Sequence, residues 1–217
     1  MRAWEKCACT HESEGFLKIS FAKGKPCAFE EIALAARLKL LLKRARFEHT
    51  RGVVQTAGFL AKIHGVDPQR AALAAWLHDC AKGLDRGAMK ALLAASGADR
   101  HERALPALWH APVGAYLARR DFGVKDPELL GAIRWHSTGH PGQTPLQKIL
   151  FVSDFIEPGR PKWPELPALR RLARRDLHAA WSQVLNEKLI DLLDRKRPLH
   201  PRSLAAYNDS LDSRSHV

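Results

Sequence analysis

The sequence predicts an all-α protein built as a single helical bundle. Three observations carry that fold class. Leu and Ala far outnumber Val and Ile, a composition that leans to helix. Apolar residues recur every three or four positions, with no sustained strand alternation and no internal repeat. Start and stop residues such as Asp67-Pro68, Gly65 and Pro158-Gly159 punctuate those runs. At 217 residues the chain has the length of one domain, alone or with appendages. That length buries a core without disulfides or structural metals.

Residues 1 to about 28 stand apart, mixing Cys, Lys, Gly and Ser without periodicity. They read as an atypical extension, a candidate for disorder, or as a start site placed too far upstream. From Glu30 onward Ile32, Leu34, Ala35, Leu38, Leu41 and Leu42 recur at helical spacing among Arg37, Lys39, Lys43 and Arg44. Val53, Val54, Ala57, Leu60 and Ala61 define a second amphipathic helix, closed by Gly65. Asp67 caps a third, with Pro68 at its first position, and the pattern carries that helix through His78-Asp79 to Gly83. Further helices fit residues 86–95, 101–120 and 126–136. Residues 137–145, "STGHPGQTP", form a loop. "LQKILFVSDFIE" is helical again and ends at Pro158-Gly159. A long helix fits 167–195, and residues 209–217 read as a flexible polar tail.

Lys and Arg total 35 against 23 Asp and Glu, a formal charge of +12. Such a surface favours anions, whether nucleotides, polyphosphates, nucleic acid or anionic lipid. Four cysteines, Cys7, Cys9, Cys27 and Cys80, form no disulfide framework and suit a reducing cytoplasm. Cys7-Ala-Cys9-Thr-His11 has no second half-site at zinc-finger spacing. No run approaches the roughly 20 apolar residues of a spanning helix, and the N-terminus lacks a signal pattern. The expected protein is cytoplasmic, with no membrane partner.

Five positions set polar groups into apolar helical turns: His49, His78-Asp79, His110, His136 and Asp154. Taken alone, each is explained by an ordinary hydrogen-bonded core group. Together they are harder to explain, because an unsatisfied buried group costs roughly 1–3 kcal/mol. A shared cation would satisfy them all. Imidazole and carboxylate suit iron, manganese, zinc and similar divalent ions. The chain contains no Ser-His-Asp or Cys-His series that would argue for a protein nucleophile.

The order His…His-Asp…His…His…Asp resembles the HD-domain metal-dependent phosphohydrolases. "WLHDCAKG", "LWHAPVGAYLA", "AIRWHSTGH", "LQKILFVSDFIEPGR" and "RPLHPRSLAAYN" narrow the likeness to the YqeK-type HD proteins. Those are symmetrical bis(5'-nucleosyl)-tetraphosphatases, which split diadenosine tetraphosphate into two ADP. The likeness covers about residues 40–208, so residues 29–208 read as one HD domain. It departs at Cys80 and Ser153, where the family tends to have an aliphatic residue and Ala. Neither change removes a ligand.

The resemblance implies two divalent ions, iron first, with manganese, cobalt or zinc compatible. It gives His49, His78, Asp79 and Asp154 to one ion and His110 and His136 to the other, with Asp79 bridging. It implies hydrolysis by water that the metal activates. Lys82, three residues after Asp79, reads as a catalytic and phosphate-binding residue, although a solvated lysine fits the spacing equally well. Ser137, Thr138 and Arg160 read as substrate-binding, and His200 and Arg202 as flanking the base or phosphates. His140 competes with His136, but Gly139 and Pro141 break the helix between them. His64, His101 and His178 lie outside the motifs. Arg170, Arg171, Arg174 and Arg175 read as a solvated face. The expected partner is a dinucleoside polyphosphate and not nucleic acid, and the resemblance leaves a homodimer open. A related phosphohydrolase acting on another nucleotide or a phosphodiester shares this ligand set. A non-catalytic basic protein binding RNA or a ribosomal surface would need none of it.

Overall fold

In the computed structural model, which describes residues 28–161 and 163–212, every regular element is a helix, and no strand occurs among those residues. The expectations for residues 1–27 and 213–217 lie outside the described residues. Helix α1 (Ala28–Leu41) leads into α2 (Arg44–Ile63), and Gly65, at φ +67°, turns the chain toward α3 (Pro68–Leu77). Asp67 caps α3 as its spacing predicts, accepting from the Gln69 and Arg70 amides. Asp126-Pro127 repeats the device at α7 (Pro127–Trp135). Thr144-Pro145 opens α8 (Pro145–Ile156) with a reciprocal capping box to Gln147.

The periodicity misplaces three boundaries. The α3 helix stops at Leu77. Asp79 leaves the helical region at φ −110°, ψ 15°, and a 3₁₀ turn follows over Cys80–Gly83. The helix expected over 101–120 is broken into α5 (Arg100–Ala104), a 3₁₀ turn and α6 (His110–Asp121). Pro106 is the cause, since it drives Leu105 out of the helical region, to φ −115°, ψ 91°. The helix expected over 167–195 is two, α9 (Leu166–Arg175) and α10 (Leu177–Asp194). They are parted at the extended Asp176, whose side chain caps α10 through the Ala179 amide. The short α4 (Arg86–Leu92) lies between the 3₁₀ turn and α5.

Residues 209–212, expected in the tail, are helical. Helix α11 (Pro201–Asp212) carries residues 209–212, and Ser210 is buried against Ser182 of α10, with the hydroxyls 2.9 Å apart.

Helix α8 lies at the centre, in contact with α2, α3, α7 and α10. Leu146, Ile149, Leu150, Phe151 and Val152 are buried along it. Burying each such side chain contributes roughly 1.5–3 kcal/mol. The central helix therefore has little freedom to slide. Asp154, near its end, faces His49 of α2 and His78 after α3.

Candidate metal centre

The six polar residues singled out in the sequence arrive from five places in the fold. His49 projects from α2, and Asp154 from α8. His78 and Asp79 occupy the break after α3, His110 begins α6, and His136 follows the last residue of α7. The unexpected helix end at Leu77 matters here. It turns Asp79 away from the line of α3, so that its two carboxylate oxygens face different histidines. Oδ2 lies 3.6 Å from His78 Nε2, and Oδ1 lies 3.6 Å from both His110 Nε2 and His136 Nε2. Asp154 Oδ1 lies 3.1 Å from His49 Nε2 and 3.9 Å from His78 Nε2. His110 Nε2 and His136 Nε2 are 3.1 Å apart. Two sets of converging donor atoms result, His49-His78-Asp79 and Asp79-His110-His136, sharing the one carboxylate.

The hydrogen bonds set the tautomers. A carbonyl can only accept, so His78 Nδ1 donates to Ala75 O at 2.6 Å and His136 Nδ1 donates to Ile133 O at 2.7 Å. In each neutral ring the lone pair is then on Nε2, aimed inward. Glu157 does the same work for His49, with Oε1 3.1 Å from Nδ1. That carboxylate is buried and also takes the Gly159 amide at 2.5 Å. It closes on Gly52 of α2, where any Cβ would collide with it.

The protonation states fit ligands as well. Burial pushes the His78 imidazolium down to about 4, His136 beside it acts the same way, and Asp79 and Asp154 offset only part of this. Burial and Lys82 hold His110 well below its usual value. Burial opposes ionisation of Asp79, but His78, His136 and His110 outweigh it and keep the carboxyl well below its usual range. His49 and His78 do the same for Asp154. His49 is the exception: burial lowers it, yet Asp154 and Glu157 on either side raise it.

Neutral imidazoles facing ionised carboxylates form an array of acceptors. His49 Nε2, His78 Nε2 and Asp79 Oδ1 are buried without a hydrogen-bond partner; the 3.1 Å approach of His49 Nε2 to Asp154 is off the line of a hydrogen bond. Orphaned lone pairs of this kind, converging from α2 and the break after α3, fit divalent cations. Cys80 is not among the donors. Its thiol is buried, points at Gly114 O, and is held protonated by that burial.

A cavity of about 530 Å³ opens beside the cluster. Ser137 joins the two, lining the cavity while its Oγ lies 3.0 Å from His110 Nε2 and 3.2 Å from His136 Nε2. Thr138 and Arg160 line the cavity too. Thr138 is buried with its hydroxyl on Gly139 O. Arg160 is committed to Asp154, through Oδ1 at 2.9 Å and the main-chain carbonyl. Lys82 Nζ stands 4.0 Å from Asp79 Oδ1, on the site but outside the cavity lining.

His200 and Arg202 are placed elsewhere. Arg202 pairs with Asp99 at 2.9 Å and Glu102 at 3.1 Å, and His200 is buried 3.6 Å from Asp99. They tie α11 to α5, and Ser203 is their neighbour that reaches the cavity. His140 stacks on Trp135, and His64 and His178 bond to main-chain carbonyls. Of the basic run, Arg170 is no solvated residue: it donates to Ile156 O and Glu157 O, closing the end of α8.

Three site residues escaped the sequence. Arg46 donates to Asp79 Oδ2 at 2.8 Å, Glu157 orients His49, and Lys188 of α10 lines the cavity. Arg46 and Glu157 each lie three residues from a predicted ligand, His49 and Asp154. Lys188 lies on the helix expected over 167–195 and carries no local signal.

The chain matches the HD domain family over residues 46–159. It is 41% identical, over 82% of its length and 95% of the relative's, to a Bacillus subtilis protein named symmetrical bis(5'-nucleosyl)-tetraphosphatase. A Halalkalibacterium halodurans protein of the same name is 40% identical over 78% of this chain and 91% of its own. A solved structure from Clostridium acetobutylicum, described as a predicted HD superfamily hydrolase involved in NAD metabolism, superposes with a TM-score of 0.79. That structure is 30% identical, and the match spans 84% of this chain and 97% of that one.

Proposed function

The chain belongs to the HD-domain family, and from that membership we propose that it is a metal-dependent hydrolase that splits diadenosine tetraphosphate symmetrically into two ADP. The single observation that carries the reading is the shared carboxylate. Asp79 offers one oxygen to His78 and the other to His110 and His136, with His49 and Asp154 closing the first set. We assign two divalent ions to these residues, iron first, since the donors are imidazole nitrogens and carboxylate oxygens with no thiolate. Bound there, such ions supply the positive charge that neutralises phosphate oxygens and activates water.

The protein side chains do the rest. Asp79 and Asp154 hold the negative charge the site needs while His78 and His110 stay neutral. Lys82 sits beside Asp79 at the edge of the cluster, where its ammonium can meet a phosphate oxygen. Arg160 and Ser137 border both cluster and cavity. The cavity volume suits one nucleoside diphosphate half of the substrate, with Phe155 and Trp163 offering aromatic surface to a base. No helix among the described residues is long and apolar enough to cross a membrane. The free buried thiol of Cys80 suits the reducing cytoplasm, where we place the enzyme.

The test is turnover of diadenosine tetraphosphate by the purified protein with added iron or manganese, with products resolved by chromatography. ADP alone is expected. AMP with ATP would exclude symmetrical cleavage; absence of turnover would exclude this substrate, and a panel of nucleotides and phosphodiesters would then identify the one taken instead. Asp79→Ala should lose bound metal together with at least about 100-fold of activity, because altering even a ligand's outer partner costs 10–100-fold.

A further inference from the structure

The cavity beside the metal cluster contains a cation, Lys188, that forms no salt bridge among the described residues. Of the described cations in its lining, Arg160 is bonded to Asp154 and Arg195 is paired with Asp191 at 2.8 Å. Lys188 differs. Its Nζ is 3.3 Å from the carbonyl of His136 and 4.3 Å from the centre of the Phe151 ring, and no salt bridge joins it to a carboxylate among the described residues. One weak acceptor and one ring face leave most of the capacity of three N–H donors unused. A half-buried ammonium in that state calls for an anion.

The position says which anion. Lys188 touches the main chain of His136, whose ring is in the metal cluster, and it shares the cavity with Ser137, which bonds to His110 and His136. The lining also brings apolar surface from Phe155, Trp163, Leu189 and Leu192, beside the charged Glu187, Asp191 and Arg195. The cavity thus combines a cation beside the metal cluster with aromatic and aliphatic surface. A nucleoside diphosphate uses both: its phosphates take the cation and its base the aromatic surface.

We propose that Lys188 is a phosphate-binding residue of this cavity, receiving the diphosphate of the substrate half seated there and retaining it as the product ADP. This rests on the hydrolase reading for the identity of the substrate, but the phosphate contact itself stands on the cavity. It makes α10 a wall of the active site as well as a brace for α8 and α11.

The experiment is a binding series on the manganese-loaded full chain, with adenosine, AMP and ADP as probes, comparing the native protein with Lys188→Met and Lys188→Arg. Methionine keeps the stem over Phe151 and removes the charge. For Lys188→Met, ADP should bind roughly 10- to 100-fold more weakly, the size of one charge-assisted hydrogen bond. Adenosine should bind as before, and metal content should be unchanged. Lys188→Arg should keep most of the ADP affinity. The proposal is overturned if Lys188→Met binds ADP like the native protein, or if adenosine is weakened as much as ADP, which would mark a packing role. Should the Met variant not fold, Lys188→Gln provides the same comparison. Turnover is read separately: a native protein that binds ADP but leaves diadenosine tetraphosphate intact would refute the assigned reaction while the binding series still decides Lys188.

Discussion

Asp79 Oδ1 is a buried carboxylate oxygen with no hydrogen-bond partner, 3.6 Å from two imidazole nitrogens that present lone pairs or share a proton. Isolated, that is among the costlier arrangements a core can hold. Its neighbours are arranged to keep it so: main-chain carbonyls take the outer N–H of His78 and His136, and Glu157 takes that of His49. Glu157 is the informative member, because it touches no proposed ligand atom of the site and acts only through the far side of a ring. Glu157→Gln should weaken metal binding roughly 10- to 100-fold. The readout is a manganese titration, run beside a melting curve of the metal-free protein. An unchanged titration would show that His49 needs no such orientation.

At the scale of elements, the site depends on where helices stop. Asp79 can face two ways because α3 ends at Leu77, and His136 follows the last residue of α7. His110 is the first residue of α6 because Pro106 interrupts the helix that periodicity alone would have continued. The break at Asp176 works on packing instead. It lets α9 cover α2 and α8 while α10 runs along the cavity. Asp176→Ala removes the cap on Ala179 N and should cost about 1 kcal/mol, which for a chain of this size is a fall of roughly 2–4 °C in melting temperature. Thermal denaturation checks this. A change in KM would instead mean that the α9–α10 break shapes the site.

For the whole molecule, the buried histidines link stability to pH. His78 titrates near 4 in the fold against 6.5 when unfolded, and His110 is shifted in the same direction. The unfolded chain therefore takes up these protons first. Stability is complete above about 6.5 and is lost as pH falls from there toward about 4. His49 is raised and opposes the trend, one ring against the lowered His78, His110 and His200. Chelator-treated protein should therefore melt at progressively lower temperature between pH 7 and pH 5. Added manganese should raise the melting temperature in proportion to its logarithmic excess over Kd. A pH-independent melting point in the metal-free protein would mean that these imidazoles are not buried neutral.

The sequence by itself determined the helical class, most helix starts and the six residues that converge. Those signals are local: apolar spacing, an Asp-Pro pair, a histidine in an apolar turn. The tertiary structure decided which atom of each residue faces which, and it did so through contacts distant in sequence. His49 meets Glu157 across 108 residues, and Lys188 meets His136 across 52. It also set Arg202 against Asp99 and Glu102, and His200 beside Asp99, partners about 100 residues away. A lysine on an amphipathic helix looks like any solvated lysine until the wall it stands in is known. The physical reason is that burial and electrostatic partnership belong to the packed molecule, whereas propensity and periodicity belong to the chain.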